Sequence, residues 1–175
     1  SYNESINYFN KSLEFKFNPI ISATCLYWKA QALFELNDYD SSIKLFNEFK
    51  LHPESKKIKS IEFIDYNLAY CYLKKKDYDL AINFFNSFLK KINSNKNFYY
   101  DSILRLADSY FALKAYWPAM DNYLKIFSNL HEDSDYALYK TAKSYGFVDR
   151  SEKKIKYLET LINNIEASNL MDESL

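Results

Sequence analysis

From residue 20 to about residue 160, apolar side chains return every three or four positions, and short polar turns interrupt them at regular distances. Ala81, Phe85, Phe88 and Leu89 form one such stripe, and Ala119, Tyr123, Ile126 and Phe127 form another. A three-to-four-residue period is that of an amphipathic helix, because those positions lie on one face of a 3.6-residue turn. The pattern predicts helices over 2–16, 20–36, 39–50, 57–75, 78–92, 98–114, 117–130, 134–147 and 151–165, with a further helix opening at 168. Isolated helices of this length are marginal in water, so they must be stabilised by burying their stripes against each other.

The stripes also repeat. Ala30, Ala69, Ala107 and Ala142 stand in matching contexts, at intervals of 39, 38 and 35 residues. Three residues after each alanine comes a large side chain: Leu33, Tyr72, Tyr110 or Tyr145. That spacing keeps the small and the large residue on one helix face. A small residue at a helix crossing lets a neighbour approach closely, and the large one wedges beside it. In the first three copies a tyrosine follows the alanine after nine residues, as Tyr39, Tyr78 and Tyr116. Asp38 and Asp77 precede the second helix, where a carboxylate accepts hydrogen bonds from otherwise unpaired N–H groups. Pro118 falls in the first turn of its helix, where its missing N–H is not needed.

Four paired helices in register, with repeat lengths near 34 residues, resemble the tetratricopeptide repeat family over nearly the whole chain. The long spacings look like the divergent repeats of bacterial cell-envelope scaffold proteins. Alanine stands where the family usually has glycine, Lys29 and Thr141 where a leucine is common, and Lys154 where a small residue is common. The resemblance implies an all-α fold, a right-handed superhelical solenoid of antiparallel helical hairpins. It divides residues 1–175 as a single array into a half repeat 1–19, repeats 20–56, 57–96, 97–132 and 133–166, and the start of a further repeat over 167–175. Ser1 with Glu4 would form a capping box at the first helix. Neither end carries the polar cap that a solenoid needs, so the chain reads as a fragment of a longer protein with ends able to self-associate.

Composition agrees with helices. One glycine and three prolines in 175 residues leave few of the residues from which tight β-turns are built. Hydrophobic residues make up 48%, too many for a disordered segment. Twenty-three basic side chains balance 23 acidic ones, so the concentrated basic face that nucleic-acid binding needs is missing overall. The clusters Lys56-Lys57, Lys74-Lys75-Lys76 and Lys153-Lys154 read as solvated helix ends. No run of 18 apolar residues occurs to span a bilayer. Cys25 and Cys71 fall within helical patterns and read as small core residues.

In the resembling family the first helices of the hairpins line a concave wall that receives peptides or short helices. Carried onto this chain, that wall comprises Tyr27, Gln31 and Phe34, then Tyr66, Tyr70 and Leu73, then Leu104, Asp108 and Phe111, and finally Tyr139 and Lys143. Tyrosine suits an interface because it offers a large rigid area with a polar tip. The lysine and asparagine set that chaperone-type members use to hold a terminal carboxylate is incomplete. Asn67 and Arg105 resemble two of its places, but Tyr27, Gln31 and Asp101 fill the others. No nucleophile motif accompanies His52 or His131, and one glycine makes no phosphate loop, so no enzyme activity and no cofactor are expected. His131-Glu132-Asp133 reads as a turn, not a metal site. The expected role is a protein–protein interaction scaffold with a protein or peptide partner and no nucleic acid. The alternative is a structural or self-assembly spacer with no groove ligand. The resemblance points to a bacterial envelope, with the cytoplasm as the other compartment.

Overall fold

The computed structural model describes residues 2–15, 18–92, 97–129 and 131–172, with side chains described up to residue 164 except that of Phe15. All the regular structure among them is helical, as the apolar period predicts. Contacts group the chain into two compact units, Ser1–Lys91 and Ile92–Leu175.

The first unit holds α1 (Tyr2–Phe15), α2 (Pro19–Glu35), α3 (Tyr39–Leu51), α4 (Ile64–Lys74) and α5 (Tyr78–Leu89). Each of these helices packs on its neighbours in sequence. Asn18 caps α2 by accepting from the Ile20 and Ile21 N–H groups at 2.9 and 3.4 Å, and Pro19 takes the position where a missing N–H does no harm. Ser1 of the expected capping box lies outside the described residues.

The second unit holds α6 (Asn97–Ala112), α7 (Tyr116–Ser128), α8 (Ser134–Phe147) and α9 (Ser151–Asp172), again with sequence neighbours in contact.

The two small-residue registers lie in the packed interior. Ala30, Ala69, Ala107 and Ala142 are fully buried, and so are Ser42, Ala81 and Ala119 on the following helices. Ser42 turns its hydroxyl onto the Ala30 carbonyl at 2.8 Å, so its polar group is satisfied at the α2–α3 crossing. Around these small residues the first unit buries Phe46, Phe49, Leu68, Phe85 and Phe88, and the second buries Leu104, Met120, Tyr123, Ile126 and Leu138.

One turn joins the two helices of each hairpin four times over. Asn37, Lys76, Lys114 and Asp149 all take left-handed backbone, with φ of 62°, 62°, 59° and 55°. After each, an N–H reaches five residues back: Asp38 to Leu33, Asp77 to Tyr72, Ala115 to Tyr110 and Arg150 to Tyr145, all at 2.9 Å. This is the Schellman closure, which satisfies helix-end carbonyls that would otherwise be bare. The carbonyl in each case belongs to the wedge residue three positions after the alanine, so the repeat read from side chains is also a repeat of the backbone.

Two predicted elements differ. The helix expected from residue 57 is instead two 3₁₀ turns, Ser55–Lys57 and Lys59–Phe63, ahead of α4. Ile58 between them is extended (φ −104°, ψ 123°), and Ile58 and Ile61 pack on the first unit's core. Their apolar spacing imitates a helix, but their burial comes from the irregular turn. The break expected near residue 166 does not occur either, and α9 continues to Asp172. No glycine or proline lies between Ser151 and Asp172 to stop it.

Candidate functional site

In the first unit the expected wall lies on α2 and α4. Tyr27 is not part of it: only 6% exposed, it meets Phe46 and Phe49 edge-on with ring centroids 5.8 and 5.3 Å apart. Its hydroxyl accepts from Gln31 Nε2 at 3.3 Å and Asn67 Nδ2 at 2.9 Å, which ties α2 to α4. The Tyr27 ring therefore belongs to the core of the first unit. Phe34 is half-buried, edge-on to Tyr39 at 5.5 Å. Tyr66 and Tyr70 lie side by side at 4.9 Å, with Phe88 5.2 Å from the first and Phe85 5.6 Å from the second. Both tyrosines and Leu73 are half-buried.

In the second unit Leu104 is 2% exposed and belongs to the core. Asp108 is a hub. Its Oδ1 accepts from the hydroxyls of Tyr123 (2.7 Å) and Tyr136 (2.8 Å), and its Oδ2 from Arg105 (3.0 Å). Burial, reinforced by this carboxylate, pushes both phenols well above the usual tyrosine range. Phe111 is half-buried, with Tyr116 and Phe147 edge-on at 5.6 and 5.9 Å and the Lys140 ammonium 3.9 Å above its ring. Burial lowers the Lys140 pKa; Asp108 opposes this and Lys143 adds to it. Tyr139 and Lys143 are exposed. Lys140, Tyr136 and Phe147 were not singled out in the sequence, although all lie on or beside α8 at spacings that share a face with Tyr139 and Lys143.

The two residues resembling the carboxylate-holding set are both engaged within the chain. Asn67 donates to Tyr27, and Arg105 pairs with Asp101 at 3.4 Å and Asp108 at 3.0 Å.

Asp65, also unsingled, is 2% exposed on α4. It accepts from Lys50 of α3 at 2.8 Å, Ser87 of α5 at 2.7 Å and Lys91 just beyond α5. Burial alone would raise its carboxyl, but these donors hold it down at about 2.

His131, Glu132 and Asp133 do bring their ligand atoms within 4.8 Å of one another, contrary to the divergence expected of consecutive helical residues. They form the turn before α8, so helical divergence does not apply. His131 is held there by ring contact with Tyr100 at 5.1 Å, and its Nδ1 accepts from the Asp133 N–H at 3.3 Å. Cys25 and Cys71 are buried, and burial lifts the Cys71 thiol to about 11, far from a reactive thiolate.

These features define a class: an all-α repeat protein of stacked helical hairpins. Within it, the tetratricopeptide repeat family model matches residues 24–55 and 65–91, which cover the α2–α3 and α4–α5 hairpins. Among solved structures, the chain is similar to MamA with a TM-score of 0.76 and 14% identity, covering 96% of this chain and 91% of that one. BtubC from P. vanneervenii superposes with a TM-score of 0.72 and 13% identity, over 96% of this chain and 72% of that one. Bacillus thuringiensis PlcR, solved in complex with the peptide PapR7 and DNA, gives 0.59 and 14%, over 98% of this chain and 67% of that one. No curated protein matches the sequence. The shared fold is thus the tetratricopeptide type. Among the described residues no helix is long and apolar enough to cross a membrane.

Proposed function

We propose that the chain is a protein-interaction scaffold whose first-helix faces grip an extended peptide or short helix of a partner. The Tyr66–Tyr70 pair carries this reading. Two adjacent half-buried rings, backed by Phe85 and Phe88, form an aromatic platform whose geometry is set before any ligand arrives. Rigid, pre-placed aromatics give up little entropy on binding and are typical interface anchors. A similar fold, that of PlcR, is solved with a peptide, which supports a peptide as the class of ligand. The balanced charge argues against nucleic acid as the partner.

The test is capture of partners from native lysate by immobilised wild-type chain and by Tyr66→Ser and Tyr70→Ser variants, each with its thermal midpoint measured. Capture lost with the midpoint kept within a few degrees supports the reading. A midpoint that collapses, with no partner retained by the wild type, would show that the rings serve only as core.

A further inference from the structure

In the second unit a pocket of about 450 Å³ opens between α8 and α9, lined by Tyr139, Lys143, Gly146, Phe147, Lys154 and Leu158. Its residues can be set against the same register positions in the other three repeats. Gly146 stands where Phe34, Leu73 and Phe111 stand, so the large side chain that would fill the space is missing. Lys143 replaces Gln31, Tyr70 and Asp108. Lys154 replaces Ser42, Ala81 and Ala119, which are all fully buried, and is itself exposed. The stem of Lys154 lies along Gly146, with its Cδ 3.2 Å from where a Cβ would be.

Tyr139, Phe147 and Leu158 supply the pocket's large apolar lining, and Tyr139 and Phe147 are 48% and 52% exposed. Its rim is cationic. Among the described residues Lys143 and Lys154 have no carboxylate partner. A third amine, Lys140, lies beside Lys143 over the Phe111 ring. The Asp108 carboxylate on α6 is already occupied by two tyrosine hydroxyls and Arg105. An apolar hollow edged by two ammonium groups without a carboxylate partner among the described residues repels cations and favours an acidic ligand.

We infer that this pocket binds an acidic peptide segment, seating one apolar side chain between Tyr139, Phe147 and Leu158 while flanking side-chain carboxylates pair with Lys143 and Lys154. The inference deepens the scaffold reading and rests on it, because it names the chemistry of the partner at one place. Carboxylates supply affinity and orientation through charge-assisted hydrogen bonds, and the apolar anchor supplies burial.

Fluorescence anisotropy tests it with two labelled synthetic peptides, one with a leucine flanked on both sides by glutamates and one with those glutamates replaced by glutamines. The glutamate peptide should bind at least tenfold more tightly, and its binding should weaken as salt is raised. K143E/K154E should reduce that binding tenfold or more without moving the thermal midpoint, since both lysines are exposed. Gly146→Leu should weaken both peptides by filling the hollow. Equal binding of the two peptides, or binding that K143E/K154E leaves unchanged, overturns the inference while the scaffold reading stands on the Tyr66 and Tyr70 variants. No binding of either peptide overturns it as well. If sedimentation instead shows concentration-dependent self-association that K143E/K154E abolishes, the occupant is a second copy of the chain and the acidic-peptide assignment is wrong.

Discussion

Asp65 stands four residues before Ala69, at the place where the other repeats carry Leu26, Ile103 and Leu138. A carboxylate in a stripe of aliphatics is costly to bury unless it is paired and fully hydrogen-bonded. Here three donors from α3, from α5 and from the segment just after it converge on it, so one side chain ties three consecutive helices. Its two lysines remain 40% and 62% exposed. Removing the carboxylate therefore leaves cations that water can solvate, not orphaned buried charge. Asp65→Ala should cost about 1–3 kcal/mol through the cavity and the lost hydrogen bonds. Asp65→Leu, which restores the residue type of the other repeats, should change stability by no more than about 1 kcal/mol. Urea melts of both variants check the pair, and equal losses would contradict the argument. The same residue-scale logic applies at the fully buried Ala69 and Ala107. Ala69→Leu or Ala107→Leu should destabilise by about 1–3 kcal/mol through overpacking, and an unchanged thermal midpoint would speak against a close crossing there.

At the scale of elements, the hairpin turn shows what side-chain periodicity makes legible and what it hides. The small-and-wedge register was legible, and among the described residues its wedge carbonyl closes the turn of four hairpins. The caps at Asp38 and Asp77 were equally legible, since their carboxylates accept from the Ser41 and Leu80 N–H groups at 3.2 and 3.3 Å. The left-handed residue ahead of them was not, because none of Asn37, Lys76, Lys114 and Asp149 is the glycine that usually marks such a turn. Exposure along the expected wall was not legible. Spacing put Tyr27, Tyr66, Leu104 and Tyr139 in one register, but Tyr27 and Leu104 are core, Tyr66 is half-buried and Tyr139 is exposed, because their neighbours differ in size. The third hairpin offers a test of this reading. Ala115 has φ −81° and ψ 70°, matching Asp38 (−85°, 72°) and Asp77 (−85°, 77°), yet it has no side-chain cap. Ala115→Asp should stabilise by about 1 kcal/mol by supplying that acceptor. Lys114→Gly should add up to about 1 kcal/mol by relieving left-handed backbone that a side chain disfavours. Thermal melts of the two single variants and the double would read both effects.

At the scale of the molecule, the two tryptophans fall one to each compact unit, Trp28 in the first and Trp117 in the second. Each is about half exposed and touches a buried tyrosine edge-on, Tyr27 at 5.2 Å and Tyr145 at 6.4 Å. A Trp117→Phe background therefore leaves a reporter for the first unit alone, and Trp28→Phe leaves one for the second. Asp65 lies in the first unit, and its folded carboxyl at about 2 lies below the ordinary value of 3.8. A carboxyl depressed by folding contributes stability that is fully present above 3.8 and is lost as pH falls from there towards 2, because the unfolded chain takes up the proton first. A depression of this size corresponds to about 2 kcal/mol. The Trp28 denaturation midpoint should therefore fall between pH 5 and pH 2.5 by more in the Asp65 chain than in the Asp65→Leu chain. A Trp28 midpoint whose acid response is untouched by Asp65→Leu would mean that the carboxylate, despite its three donors, contributes no net stabilisation to the first unit.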